Sequence, residues 1–257
     1  MESPLLNRTS KALVRTVLIA LFAALSYVVL FFRIPYPAPV GRPFLHLGNA
    51  VVILAALLLG GWQGGLSGAI GMGLNDLFYG YGFETIKTVI LKFGIGLFAG
   101  LVARLGKKHP DSSPRTGLLI VAALSLTGGA VLLAGRLSGS AAFAGVPALA
   151  YCFLLLLGLL LGAAALLSRR LAWLTNERLF TLLGAAAGIA WNVAGEFLGG
   201  AVVNRIAGAS WQAAMLASLA SLPATLINGV TSIVVAVLLY IPIRAALHRA
   251  RLDALVN

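Results

Sequence analysis

One cysteine, seven acidic residues and 10% charged residues in all are very little for a chain of 257 amino acids. A soluble domain carries about 25% charge, so this scarcity excludes a water-soluble enzyme and a disordered protein alike. Cys152 stands alone in an apolar run, which excludes an intrachain disulfide and a cysteine metal cluster. No G-x-x-x-x-G-K-[ST] is present, so the chain holds no P-loop of its own for ATP. The one short glycine pair of dinucleotide type, Gly94-Ile95-Gly96, sits inside an apolar run with no strand before it. His46, His109 and His248 are scattered, and no H-E-x-x-H or G-x-S-x-G occurs. These absences argue against an intramembrane enzyme, against a histidine metal site, and against any resident cofactor.

What is there is apolar. Hydrophobic residues make up 60% of the chain and the mean hydropathy is +0.98, the composition of a polytopic helical membrane protein. The balance of 19 Lys and Arg against 7 Asp and Glu gives a formal charge of +12. In a soluble protein that excess would suggest nucleic acid, but here the basic residues cluster between apolar runs. The runs predict eight spanning helices, at 12–32, 45–59, 64–78, 86–105, 117–134, 143–167, 180–203 and 213–243. The first run follows Arg8, Lys11 and Arg15 and is too long for a cleaved signal segment, so it reads as an uncleaved span. The second and third are short and joined by a glycine-rich link, which fits a tight hairpin or a partly re-entrant pair. The stretch 106–116, with Pro110, Asp111, Ser112, Ser113 and Pro114, reads as a cytoplasmic linker.

Alternating spans place Arg8, Lys11, Arg15, Arg104, Lys107, Lys108, Arg115, Arg169, Arg170, Arg178, Arg244, Arg249 and Arg251 on one side, and Arg33, Arg42, Arg136 and Arg205 on the other. The positive-inside bias then puts both termini in the cytoplasm. Residues 1–257 are read as a single membrane domain.

Glycine recurs at four-residue spacing, as at Gly60, Gly64 and Gly68, at Gly96 and Gly100, and at Gly184 and Gly188. Such spacing lets helices approach closely in lipid. Ala20 and Ala24, with Ala23 and Ser26 nearby, give the first helix a small-residue face that suits either internal packing or an external helix.

Polar residues within spans are costly and therefore candidates for function. Asn75 and Asp76 close the third span, and Tyr79 lies one turn beyond Asn75 on the same face. Lys87 is close enough to a helix start to snorkel outward, whereas Lys92 is deep and needs a partner, either an acid such as Asp76 or Glu196 or a ligand. Asn192 and Glu196 are one turn apart beside Trp191, a grouping able to hold a small heteroaromatic molecule. Ser221, Thr225, Asn228 and Ser232 form one polar stripe in the last span, as interhelical glue or as a ligand wall. The loop 33–44 carries Pro35, Pro37, Pro39 and Pro43 and is stiff enough to cap an outward pocket, with His46 and Asn49 just after it.

Several of these segments together resemble a known family. Phe-Leu-His-Leu-Gly-Asn-Ala at 44–50, Leu-Leu-Leu-Gly at 57–60, Leu-Asn-Asp-Leu at 74–77, Ile-Leu-Lys-Phe-Gly at 90–94 and Leu-Phe-Ala-Gly at 97–100 look like the first four helices of an S component of an energy-coupling factor (ECF) transporter, of the riboflavin- and hydroxymethylpyrimidine-type branch. Gly-Ile-Ala-Trp-Asn-Val-Ala-Gly-Glu-Phe at 188–197 and Leu-Pro-Ala-Thr-Leu-Ile-Asn-Gly at 222–229 look like its last two.

The resemblance implies a six-helix core from 12–104 and 180–245, with an apolar hairpin inserted at 117–167. It implies a substrate-capture subunit for a vitamin or vitamin precursor in a bacterial or archaeal plasma membrane. Its partners would be a transmembrane coupling subunit, docked on Ala20 and Ala24, and two ATPase subunits. The expected pocket residues are Asn49, Asn75, Tyr79, Lys92, Trp191, Asn192, Glu196 and Asn228. Asn49 stands where many relatives have Asp, and Thr225 and Asn228 stand where Asn and Gln are common, so the substrate is open. Read from the residues alone, a structural membrane protein, an intramembrane enzyme and a self-sufficient carrier remain alternatives.

Overall fold

The computed structural model describes residues 8–36, 43–109, 111–139 and 148–252. Its helices are α1 (Arg8–Val28), α2 (Gly48–Leu59), α3 (Gly61–Phe78), α4 (Phe83–Lys108), α5 (Arg115–Leu137), α6 (Ala148–Leu167), α7 (Asn176–Ile206) and α8 (Trp211–Arg249). A 3-10 turn, Val29–Phe32, ends α1, and two short strands, β1 (Ile34–Pro35) and β2 (Phe44–Leu45), pair antiparallel. All eight expected helices are present, and the chain is an all-α membrane protein. Parts of three expected features lie outside the described residues: 37–42 of the proline loop, Pro110 of the linker and 143–147 of the sixth run.

Eight helices are not eight full spans. Among the described residues, five segments are long and apolar enough to cross a bilayer: Lys11–Phe32, Phe83–Lys108, Arg115–Leu137, Asn176–Ile206 and Trp211–Arg249. The 12 residues of α2 extend only about 18 Å, well short of the roughly 30 Å hydrocarbon core. Its sequence is hydrophobic all round, which calls for burial on every side. Eleven of its residues are indeed buried, and Val52, Ile53 and Ala55 expose nothing. It therefore forms the centre of the bundle, packed among α1, α3, α4 and α8.

Gly60 permits the reversal between α2 and α3, with φ 106°, a backbone conformation that L side chains rarely adopt. The two helices then run antiparallel, Gly64 against the Ala56 backbone and Gly68 against the Val52 side chain. The short second and third runs are thus a tight hairpin. On the other side of α3, the glycines of α4 meet glycine backbone: Gly96 lies on Gly65 and Gly100 on Gly61. Small residues at these contacts replace the missing hydrophobic drive between helices in lipid with close van der Waals packing.

A side chain at Gly96 would force α3 and α4 apart, since the atoms in its way are backbone. Gly162, by contrast, has 3.7 Å to the Ala122 methyl, an ordinary contact. Gly96→Ala should therefore cost about 1–3 kcal/mol, whereas Gly162→Ala should be neutral or gain up to about 1 kcal/mol from helix propensity. Thermal unfolding in detergent checks both.

α4, α7 and α8 continue the bundle as antiparallel neighbours, with Gly188 on Ile95 and Gly229 on Ile189. α5 and α6 pack on each other, and this pair leans mainly on α8. Leu118 and Ala122 of α5 meet Leu161 and Ala165 of α6 in the buried core. α1 lies at the edge. Ala23 and Ser26 face inward, where Gly71 meets them, so these two serve internal packing. Ala20 and Ala24 face outward with Leu13, Val17, Leu21 and Leu25. An apolar stripe of this length needs lipid or another helix over it.

Candidate functional site

The antiparallel register of α4 and α7 sets Lys87 beside Gly199 and Leu91 beside Gly195. Glu196 therefore projects between Lys87 and Lys92. Its Oε1 lies 3.4 Å from Lys92 Nζ and its Oε2 lies 2.9 Å from Lys87 Nζ. Lys92 also donates to Asn192 Oδ1 at 2.8 Å, and Lys87 forms a second ion pair with Glu84 one turn before it. The deep lysine thus has the acid partner that its position demands.

Lys87 does not snorkel outward. Its side chain is 14% exposed and turns inward, because two carboxylates offer more than the interface does. From α3, the Asp76 carboxylate accepts the Thr88 hydroxyl.

Asp76, Glu84, Lys87, Thr88, Lys92 and Glu196 line a cavity of about 460 Å³. α8 contributes Ser218, Ser221, Thr225 and Asn228, so three members of its polar stripe form a wall. Ser232 is fully buried beyond it. Phe44, His46, Met72, Tyr81 and Leu30 complete the lining. The cavity lies toward the first residues of α4, the end of the bundle opposite Arg104, Lys107, Arg244 and Arg249. The positive-inside bias expected from the sequence would put that basic end in the cytoplasm and this cavity on the outer side. Two other cavities, of about 360 and 510 Å³, lie at the basic end among Thr175, Glu177, Arg178, Lys107 and Arg244. The residues there sit at helix ends, where charge sets orientation.

Asn228 does something its spacing does not announce. Its Oδ1 accepts the His46 N–H and its Nδ2 donates to the Phe44 carbonyl, both at 2.9 Å. Both polar atoms of the amide thus serve as a strand partner for β2 and the residues after it. His46 in turn accepts the Gly48 N–H on Nδ1 at 3.0 Å, which caps the start of α2. Arg33 closes the same region from outside. Its guanidinium stands 4.5 Å from the Tyr79 ring centre and 5.1 Å from that of Phe44, and it donates to the Tyr81 hydroxyl at 3.3 Å. Tyr79 and Tyr81 stack with 19° between their planes. Arg33, after α1, and Phe44, before α2, are thereby tied to the α3–α4 turn at the cavity mouth.

Of the expected pocket residues, Lys92, Glu196 and Asn228 line the cavity, and Asn192 reaches it through Lys92. The other four do not line it. Trp191 is 100° around α7 from Asn192, and its indole packs on Gly94 and Phe98 of α4. Asn75 stands 100° from Asp76, which takes the wall position, and is buried behind it. Tyr79 lies past the end of α3 and stacks at the rim. Asn49 is buried within the bundle, one turn after His46, which takes the wall. Lys87, Glu84, Asp76, His46 and Ser218 were not among the expected pocket residues. An acid such as Glu84 three residues before a lysine was the available signal for the first two.

No solved structure matches the chain. A protein of Pyrococcus woesei described as "Uncharacterized protein in gap 3'region" is 32% identical over 77 residues, which are 30% of this chain. Those residues amount to 50% of the relative, so the chain spans about half of its length. The family described as "ECF-type riboflavin transporter, S component" matches residues 10–141 and 132–245. The chain belongs to the S-component family of ECF-type transporters, the membrane-embedded substrate-binding subunits of these importers.

Proposed function

We propose that the chain captures a vitamin or vitamin precursor with high affinity at the outer face of a bacterial or archaeal plasma membrane and hands it to an ATP-driven ECF module. The observation that carries this is the polar cavity of about 460 Å³ at the outward end of the bundle, within the usual 300–1,000 Å³ of small-molecule sites. Lys92, held by the Asn192 amide, and Glu196 present fixed polar groups to the cargo. Asn228 holds the β2 segment over it. Asn49 and Asn75 support the wall from behind, and Tyr79 holds the rim through Arg33. The family's printed description names riboflavin, which makes riboflavin the first cargo to try. ATP hydrolysis resides on two partner ATPases, joined to this chain by a transmembrane coupling subunit. That subunit docks on the outward face of α1 at Ala20 and Ala24.

Reconstitution tests this. The chain placed in vesicles with a coupling subunit and two ATPases should import the cargo only with ATP, and the chain alone should import none. Ala24→Trp should abolish uptake and co-purification with the module while leaving cargo affinity within about twofold, because Ala24 is exposed on α1 and does not line the cavity. Uptake by the chain alone would favour a self-sufficient carrier. Loss of cargo affinity in Ala24→Trp would remove Ala24 from the docking surface.

A further inference from the structure

A bias of basic residues to one side of a membrane sets orientation wherever on that side they stand. It does not require them to converge on a hollow. Lys107 in the last turn of α4, Arg178 in the first turn of α7 and Arg244 toward the end of α8 do converge. They line two adjoining cavities, of about 510 and 360 Å³, which share Thr175, Glu177 and Arg244. Among the described residues lining either cavity, Glu177 is the one carboxylate. It attracts the Lys107 ammonium, while Arg244 and Arg104 both repel it. One acid can balance one of the three cations, and like charges gathered in a half-enclosed space gain from an anion placed among them.

Arg178 supplies a second observation. Its guanidinium donates to the Trp173 carbonyl and stands 5.8 Å from the centre of the Trp173 ring. It forms no ion pair among the described residues. The side chain is therefore held in place, with further N–H donors of its five left for a ligand. The floor of the same cavity is polar and uncharged, made by Thr181 and Tyr240, which are 3% and 5% exposed.

The surroundings identify the source of the anion. Ile241 and Ala245 line the cavity beside Tyr240 and Arg244. Leu238, one turn before Ile241 on the same face of α8, is 64% exposed. The hollow thus continues into apolar surface that runs toward the middle of the bundle. A soluble phosphate makes no use of such a surface, whereas an acyl chain does.

We propose that these cavities hold the phosphate headgroup of an anionic phospholipid from the leaflet at the basic end of the bundle. Lys107, Arg178 and Arg244 surround the phosphate, and one acyl chain lies along Ile241 and Leu238. Basic pockets between helices on the cytoplasmic side bind such headgroups. The lipid ties together the ends of α4, α7 and α8, at the opposite end of the bundle from the cargo cavity.

The test uses the full chain in a neutral detergent. Phosphatidylglycerol added to the micelle should raise the melting temperature and stay on the chain in native mass spectrometry. Phosphatidylcholine with the same acyl chains should do neither at the same fraction. Arg178→Gln and Arg244→Gln should each weaken phosphatidylglycerol retention about fivefold, the effect of one basic residue near a lipid surface, whereas Arg249→Gln should leave it within about twofold. Arg249 offers the same charge at the end of α8 but lines neither cavity. If Arg244→Gln does not fold, Arg178→Gln at the rim decides. Equal losses in all three variants, or equal retention of phosphatidylcholine, would reduce the effect to general surface charge and overturn the proposal. So would undiminished retention in Arg178→Gln. Inorganic phosphate or glycerol 3-phosphate that raises the melting temperature as much as the lipid does would overturn the lipid assignment in favour of a soluble phosphate.

Discussion

Glu196→Gln is expected to weaken cargo binding by at least about 30-fold and to destabilise the unliganded protein by about 3–5 kcal/mol, the range for removing one partner of a buried ion pair. The effect is large because one carboxylate serves two ammonium groups, Lys92 through Oε1 and Lys87 through Oε2. Lys87 retains Glu84 after the change, but Lys92, with its side chain 5% exposed, retains only the Asn192 amide. Lys92→Met should cost less stability than Glu196→Gln, since Glu196 keeps Lys87. Combining the two should recover part of the stability lost in Glu196→Gln, because no lysine is then stranded, while binding stays lost. Thermal unfolding and titration calorimetry on the three variants read both quantities. Strictly additive stability losses would contradict the coupling drawn from the geometry.

Asn228→Ala is expected to weaken binding by roughly 5- to 150-fold, the equivalent of about 1–3 kcal/mol for leaving part-buried backbone groups unpaired. The amide holds the Phe44 carbonyl and the His46 N–H at once, so its loss frees the whole segment that leads into α2. The change should appear mainly in the dissociation rate, because the segment lies along the cavity mouth and not at its base. Asn228→Asp keeps the acceptor for His46 and loses the donor for Phe44, so it should fall between alanine and the native residue. Stopped-flow release of bound cargo measures this. An unchanged dissociation rate in Asn228→Ala would leave the clamp without a function.

The helices were legible in the sequence, and their relation to one another was not. Each apolar run became a helix, because in lipid the backbone has no other way to satisfy its polar groups. Lys92 and Glu196 stood out because a charge at that depth is costly enough to demand a reason. Lys87 was misread for the same kind of cause. Near a helix start a lysine has a cheap route to water, and only the α4–α7 register, fixed by contacts such as Gly195 on Leu91, shows that Glu196 is nearer. Trp191 and Asn192 are adjacent in sequence, and one step of helix rotation sends the first to the α4 surface and the second to Lys92. Asn228 was legible as polar and inward, but its backbone partners lie 182 and 184 positions away, beyond any spacing argument. The shortness of the second run was legible, and its place was not: of the 15 positions 45–59, β2 takes Leu45 and α2 begins only at Gly48, so the helix is too short to span and is buried on all sides instead.

The most direct test of the capture role is mass spectrometry of small molecules released from the chain after purification in mild detergent from cells grown with a full vitamin supplement. The account predicts a single vitamin-like compound near one equivalent per chain, carried by the native protein and by Ala24→Trp and absent from Glu196→Gln. A protein that is empty, or that carries the same compound equally in Glu196→Gln, would contradict it.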